Sequence, residues 1–172
     1  MSEECPSYFG KYRGEVTNPL DPQGMGRVQV SVPDVYGDGS LAWAMPCAPF
    51  AGPGVGLFAV PPMGAKVWVE FERGDPDYPI WSGGFWGLGE APVAPGPQQM
   101  LTRALVGDNF KIEVLDAPGL TSLTVQASLP PPGGPASIKA DASGMTLSWG
   151  SNTIQLSVDG VSINNPNLKI LP

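Results

Sequence analysis

The side chains of this sequence that could do acid–base chemistry are all carboxylates. The chain has 16 Asp and Glu residues and no histidine, and the usual nucleophile-and-base triads need an imidazole. Paired carboxylates, as in glycoside hydrolases, are the arrangement that remains. Acids beside glycine or proline, or on the outward face of a strand, typically cap turns or face solvent. We therefore predict no catalytic residue and no enzymatic activity from the candidate acids, which are Asp34, Asp38, Glu70, Glu72, Asp75 and Asp77.

Cysteine is the second chemically active residue type. Cys5 and Cys47 have neither CxxC spacing nor a histidine with which to share a metal ion, whereas a structural zinc site needs four such ligands. We therefore predict no metal site and no cofactor. Free thiols in a reducing compartment are the simpler interpretation, and a disulfide between the two is the alternative.

Aromatic side chains could bind a ligand by stacking. Small OB-type barrels bind oligonucleotides or sugars on aromatic platforms, so a monomeric binding module is an alternative function. The net charge of −7 opposes binding to a phosphate backbone. We therefore predict no nucleic-acid partner and favour packing roles for the five candidate rings, which are Trp43, Trp68, Trp81, Phe85 and Trp86.

Short strands separated by turns must position these residues. Glycine and proline number 23 and 21 of 172 residues, and they stand between short apolar runs, as turns do between strands. No apolar run is long enough to cross a bilayer. Residues 1–6 carry two acids and no signal-like apolar segment. We expect an all-β protein that is assembled in the cytoplasm.

The first half of the chain predicts a closed barrel of five strands, in a domain spanning residues 1–90. Val28, Val30 and Val32 alternate with polar residues, so one face of that strand meets a core. Five short strands of this kind favour a small barrel. The predicted strands cover residues 8–17, 27–32, 41–48, 66–72 and 80–86.

A loop at residues 50–63, here called the apolar loop, differs from the other connections. Its residues are too apolar for a solvated loop, and glycine and proline interrupt them too often for a strand. Exposed apolar segments of this kind mark contacts with other proteins. We predict an intersubunit contact through Phe50, Val55, Leu57 and Phe58.

Residues 91–99 contain three prolines and predict an extended linker. Beyond it, residues 100–172 show a two-residue apolar alternation, with a repeat in which residues 138–148 align with residues 154–164. One apolar face with few large residues cannot form a core alone, so several chains must supply it. We predict a homotrimer whose axis is lined by Phe110, Ile112, Val114, Leu123, Val125, Ile138, Leu147, Ile154, Leu156, Val158, Val161 and Ile163.

Several segments resemble the baseplate assembly protein V family of contractile-tailed phages, whose spike proteins are related to the VgrG spikes of type VI secretion. Residues 10–19, 26–30 and 61–72 follow the order of the family's barrel. The most specific element is similar to the family's turn of form GDPD-x-P-[IV]-W-x-G. In this sequence the residues of that turn are of types that shape the backbone, bond to turn amides or pack in a core, and we predict no catalytic role for them. They are Gly74, Asp75, Pro76, Asp77, Pro79, Trp81 and Gly83.

The resemblance implies an N-terminal OB-fold barrel followed by a C-terminal intertwined trimeric β-helix shaft, or β-prism. It implies the central spike of a baseplate, in a phage, a tailocin or an extracellular contractile injection system, with the apolar loop on a tail hub protein. The family's shaft begins near a Ser-Gly-His motif, and Asp108 stands where that histidine is usual. A capsid or tail decoration protein is a further alternative.

The same resemblance also predicts how the C-terminal end of the shaft is closed. Relatives that form their own tip bind iron through histidines, and this sequence has none. We therefore expect a blunt end that is capped by a PAAR-type tip protein, and only transient contact with the target membrane. The predicted docking residues are Leu168, Ile170 and Leu171.

Overall fold

The structure is a computed structural model that describes residues 7–164 and 168–170. The chain divides into two compact units, Met1–Glu90 and Ala91–Pro172. Among the described residues, helix is limited to one four-residue α-helix and two short 3-10 helices. None of these is long and apolar enough to cross a membrane. The predicted all-β class is confirmed.

Five strands of the first unit close into a barrel in the order β1-β2-β3-β7-β6, with β6 pairing back to β1. The β3–β7 pair is parallel and the other four are antiparallel. This confirms the predicted five-stranded, OB-like barrel. In chain order, the elements are β1 (Tyr12–Asn18), β2 (Val28–Ser31), α1 (Pro33–Tyr36), β3 (Leu41–Pro46), β4 (Ala51–Gly52), β5 (Val55–Gly56), β6 (Lys66–Phe71), a 3-10 helix (Glu72–Gly74) and β7 (Pro79–Gly84).

Alternating valines fill the barrel. Side chains two residues apart on a strand point to the same face, and the inward residues of β2 and β6 are buried. Gly14 of β1 faces the same interior: a Cβ there would lie 2.8 Å from Cγ2 of Val69, so only glycine fits. The buried core consists of Val16, Val28, Val30, Val32, Ala44, Val67, Val69 and Phe71.

The apolar loop contains a small hairpin that the sequence did not predict. Strands β4 and β5 pair as Ala51 with Gly56 and Gly52 with Val55. The prediction that this segment is too interrupted for any strand is therefore wrong. A hairpin with two residues in each strand leaves too short an alternation to be recognised in a sequence.

The second unit is one eight-stranded antiparallel sheet in which every strand pairs with its neighbour in the chain. A 3-10 helix (Pro97–Leu101) leads into it. The strands are β8 (Thr102–Val106), β9 (Phe110–Leu115), β10 (Ser122–Leu129), β11 (Gly134–Asp141), β12 (Gly144–Trp149), β13 (Asn152–Ser157), β14 (Gly160–Ile163) and β15 (Leu168–Ile170).

This meander differs from the predicted shaft, in which strands of three chains intertwine. Strands β9 to β14 each have a partner on both sides within the chain, so their hydrogen bonds are already made. Only the outer edges of β8 and β15 lack a neighbour in the sheet order. A β-helix wound from strands of different chains is not shown.

The 16-residue repeat corresponds to two successive hairpins, β11–β12 and β13–β14. In the first turn, Asp141 accepts hydrogen bonds from the backbone nitrogen and the hydroxyl of Ser143. In the second, the Ser157 hydroxyl accepts one from the backbone nitrogen of Asp159. Each turn ends on a glycine with positive φ, Gly144 or Gly160. A side-chain cap and a glycine therefore set the length of both turns.

We predict that Gly144→Ala destabilises the sheet far more than a glycine substitution in open space. Gly144 has φ +132°, and a Cβ there would lie 2.0 Å from the carbonyl oxygen of Leu156. The matched control is Gly119→Ala, because Gly119 also has positive φ but nothing within 4 Å of the added Cβ. Thermal unfolding should show a midpoint lower by several degrees for Gly144→Ala than for the control. Equal midpoints would contradict this packing of β12 against β13.

Candidate functional surfaces

One face of the second unit carries a continuous row of apolar side chains that crosses all eight strands. The register pairs Leu105 with Ile112 at one side of the sheet, and Ile163 with Leu168 at the other. This central row consists of Leu105, Ile112, Val125, Ile138, Leu147, Ile154, Ile163 and Leu168.

Two flanking rows lie on the same face, because residues two apart in a strand share a side. The Arg103 row contains Arg103, Val114, Leu123, Ala140, Met145, Leu156 and Val161. The Phe110 row contains Phe110, Ala127, Ala136 and Trp149. We call the three rows together the apolar face.

The opposite side of the sheet, the polar face, carries hydroxyl, amide and charged side chains. The hydroxyls of Ser137 and Ser148 lie 2.7 Å apart across β11 and β12. Lys111 pairs with Glu113 at 2.6 Å. Lys139, 2.8 Å from Asp141, holds the pKa of that carboxyl well below its usual value, and hydrogen bonds from Ser143 add to the effect. Each of these named groups is therefore paired with a neighbour on its own chain.

The side chains of the apolar face are more exposed to solvent than the side chains of a protein core. Leu147 and Ile154 are 47% and 39% exposed, whereas their polar neighbours Ser148 and Thr153 are half-buried. Among the described residues of this unit, Ala117 is the one apolar side chain that is buried. An apolar surface of this extent in a soluble protein marks a contact with another chain.

The structure places eleven of the twelve predicted shaft residues on the apolar face, and their burial along an axis stays a prediction. Val158 is the exception: it lies in the turn between β13 and β14 and is 93% exposed. Leu105 and Met145, which complete two of the rows, were not among the residues predicted from the sequence. The other predicted residues lie in the rows as Phe110, Ile112, Val114, Leu123, Val125, Ile138, Leu147, Ile154, Leu156, Val161 and Ile163.

The turn before β7, in the segment of residues 74–83 that resembles the family's motif, is held by backbone and side-chain hydrogen bonds. Asp75 Oδ1 accepts from the backbone nitrogen of Asp77 at 3.0 Å. The Tyr36 hydroxyl donates to the carbonyl of Pro76 at 2.5 Å, which ties α1 to the turn. Trp81 packs on the barrel core, and its indole nitrogen donates to the carbonyl of Gly26. These contacts give the turn a structural role.

The predicted candidate acids do not converge on a site. Glu70 pairs with Lys11, and that hydrogen bond lowers the pKa of the Glu70 carboxyl. Asp75 caps the turn described above. Within residues 7–164 and 168–170, no three side chains of the metal-binding types form a cluster. Cys47 is an exposed thiol, and Cys5 lies outside the described residues.

Asp21, in the connection between β1 and β2, is a further carboxylate with several partners, and it was not among the candidate acids predicted from the sequence. Its side chain is 4% exposed and pairs with Arg27 at 2.8 Å. It also accepts hydrogen bonds from the backbone nitrogens of Gln23, Met25 and Arg27. The Arg27 guanidinium, followed by these amides, keeps the pKa of Asp21 well below its usual value. Asp21 therefore fixes the β1–β2 connection.

The five predicted aromatic residues do not form one stacking platform in the described structure. Trp68 stacks on Phe85 at 4.6 Å, and Arg13 lies over both rings. Trp43 instead lies under Arg27, at 5.3 Å. Trp81 packs on the core, and Trp86 is exposed. The five rings therefore lie at separate places on the barrel.

The apolar loop forms one wall of an open cleft of about 760 Å³ in the first unit. Its other walls include Met25, Pro46 and Trp81, and no charged residue lines it. The ring of Phe58 lies over Gly26. The four predicted contact residues of the loop, Phe50, Val55, Leu57 and Phe58, are all exposed. The structure therefore presents them as a surface patch.

We predict that Tyr36→Phe weakens the barrel at neutral pH by about 1 kcal/mol, the usual net value of a hydrogen bond. Burial, then the charges of Asp77 and Asp75, raise the pKa of Tyr36 to about 12 from its ordinary 10.0. The neutral hydroxyl is therefore favoured in the folded state, and its stabilisation is complete below pH 10 and is lost as the pH rises towards 12.

Denaturant unfolding at several pH values measures this effect. The difference in unfolding free energy between wild type and Tyr36→Phe should shrink above pH 10. Tyr78→Phe is the control, because the Tyr78 ring is exposed. A difference that stays constant up to pH 12 would contradict the role given to this hydroxyl.

Comparison with known protein families agrees with this division into barrel and sheet. Residues 12–86 match the family described as the type VI secretion system/phage-baseplate injector OB domain. Residues 105–169 match the phage baseplate V C-terminal trimerisation domain. No curated protein is detectably similar to the chain. The two matched regions together span most of the sequence, and the chain therefore contains an injector OB domain followed by a phage baseplate V C-terminal trimerisation domain.

Proposed function

We propose that this chain is the central spike of the baseplate of a contractile tail, and that three copies form a rod linking the tail hub to a membrane-piercing tip. The family match supports a structural injector component with a trimerisation domain. The machine can be a phage tail, a tailocin or an extracellular injection system. The spike acts mechanically: it transmits the force of sheath contraction to a small area of membrane and catalyses no reaction.

The observation that carries the proposal is the central row of eight apolar residues on an exposed sheet face. Adjacent strands are about 4.8 Å apart, so a row across eight strands is about 34 Å long. The strands themselves have three to eight residues. The row is therefore the long dimension of the face. Three copies bury it fully when their rows run along a common axis.

Sheet twist gives this rod its form. Neighbouring strands rotate by roughly 20° relative to each other, with a fixed hand. Over eight strands, the central row of each copy therefore winds around the axis by well over a quarter turn. Three such sheets, each forming one side, wrap around one another while every strand keeps its partners within its own chain. The polar face then forms the outside of the rod.

The barrel unit supplies the attachment to the tail hub in this proposal. The apolar loop and its cleft contain exposed apolar side chains and no charged lining residue, which favours contact with another protein. The proposed hub contacts are Phe50, Val55, Leu57 and Phe58. Assembly would take place in the cytoplasm, where the tail is built.

The β15 end of the sheet is the proposed docking place for a PAAR-type tip protein. Leu168 ends the central row and is exposed. The outer edge of β15 has no neighbouring strand in the sheet. An open strand edge beside an apolar residue is a surface that a partner can cover. Ile170 and Leu171 were predicted with Leu168, but the side chain of Ile170 and the whole of Leu171 lie outside what the structure describes.

We predict that a charge in the central row abolishes the trimer. Ile138→Asp or Leu147→Asp places a carboxylate where three apolar faces meet, and burying it without a partner is prohibitive. Thr146→Asp is the matched control, because Thr146 lies on the polar face between Met145 and Leu147. Analytical ultracentrifugation at micromolar concentration should give a trimer for wild type and Thr146→Asp, and monomers or aggregates for the two row variants. A trimer in all four proteins would refute the assignment of the interface.

We predict that Val55→Asp and Leu57→Asp leave the shaft trimeric but prevent incorporation into tails. Both side chains are exposed on the apolar loop, so the substitutions should not unfold the barrel. Leu20→Asp is the control, since Leu20 is an exposed apolar residue elsewhere in the first unit. Incorporation is measured by immunoblotting purified tails from cells that express the complete tail gene cluster. Normal incorporation of both variants would show that the loop does not contact the hub.

A further inference from the structure

The apolar face of the second unit carries a single charged side chain among its described residues, and that residue is Arg103 of β8. Its register partner in β9 is Val114. One guanidinium nitrogen donates to the carbonyl oxygens of Met100 and Thr102, at 2.8 and 3.3 Å. No ion pair within the described structure includes Arg103. Its charge is therefore not compensated by a carboxylate in the described part of its own chain.

A carboxylate that also has no ion-pair partner in the described structure lies just beyond the C-terminal end of β8. Asp108 is in the turn between β8 and β9, which the hydrogen bond from the Gly107 nitrogen to the Phe110 carbonyl closes. Its side chain is exposed. In the part of the chain that the structure describes, no cation pairs with it.

The two residues cannot neutralise each other within one chain. They are separated by five positions along an extended strand, which places their Cα atoms about 16 Å apart. An ion pair needs the charged atoms within about 4 Å. Arg103 thus marks one margin of the apolar face, and Asp108 marks the opposite margin at the level of the same strand.

Threefold symmetry brings these two margins together. When the central rows of three copies run along one axis, β8 crosses the direction of that axis. A rotation about the axis leaves every residue at its own height. The margin that carries Arg103 in one copy therefore meets the margin that carries Asp108 in the next copy. The charges are opposite and the heights match.

We propose that Arg103 of each copy forms an ion pair with Asp108 of the neighbouring copy, so that three identical pairs close the β8 end of the shaft. The proposal rests on the proposed trimer. It gives the cation found on the described part of the apolar face a counter-charge when that face is buried. It also fixes the order of the chains around the axis, because each pair joins two different margins.

Charge exchange tests the pairing. Arg103→Asp and Asp108→Arg, each alone, place like charges together and should weaken trimer association roughly tenfold, as measured by sedimentation across a concentration series. The double variant R103D/D108R should recover most of the wild-type affinity, because the pair is restored with its ends exchanged. Lys139→Asp, on the polar face, is the control and should leave association unchanged. A double variant as weak as the two singles, or weaker, would overturn the proposal.

A covalent test separates this inference from the trimer itself. In a chain with Cys5 and Cys47 replaced by serine, Arg103→Cys and Asp108→Cys together should be joined between chains by a short bismaleimide cross-linker, which replaces the length of the Arg103 side chain that a disulfide is too short to span, and give a trimer on denaturing gels. Ala104→Cys with Asp108→Cys is the control and should not give that trimer, because Ala104 lies on the polar face. If sedimentation shows a trimer but no interchain bond forms, the pairing is wrong and the trimer stands. If sedimentation shows a monomer, the proposed function fails as well.

Discussion

The alternation of apolar and polar residues through eight successive strands is the constraint on which the second unit depends. Alternation in a sheet produces one apolar side and one polar side, and a single layer cannot bury its own apolar side. The meander satisfies the backbone hydrogen bonds of its inner strands within one chain, so what remains unsatisfied is the apolar face alone. The need for other copies therefore comes from side-chain burial, and not from missing strand partners, except at the outer edges of β8 and β15.

The barrel unit, in contrast, buries its apolar side chains without any other copy. Its sheet closes on itself, so its valines are buried within one chain, and its polar side chains are used to fix connections. Asp21 holds the β1–β2 connection, and Tyr36 ties α1 to the turn that precedes β7. The barrel can therefore present an apolar loop to a partner without depending on that partner for its own stability. In the proposed function, attachment to the hub belongs to the barrel unit and assembly of the copies belongs to the second unit.

The sequence was sufficient to predict the elements whose signal is local. The valines at 28, 30 and 32 gave the barrel strand, and the 16-residue repeat gave the two hairpins. Val158 was predicted with the shaft residues because Ile154 and Leu156 precede it at the same spacing, whereas Ser157 and Gly160 turn the chain at that point and take Val158 off the apolar face. The β4–β5 hairpin is too short to show alternation. Whether a strand pairs with its own chain or with another is not encoded in the alternation, so the meander was not predicted.

The central claim is that three copies of the chain share the apolar face, and the mass of the native assembly tests it most directly. Native mass spectrometry of the full chain at micromolar concentration, under conditions that keep the second unit folded, reports how many copies share the apolar face. We expect a single species with three times the mass of one chain, which should persist on dilution. A folded monomer at that concentration would contradict the account, because it would show that one chain is stable with its central row exposed to water.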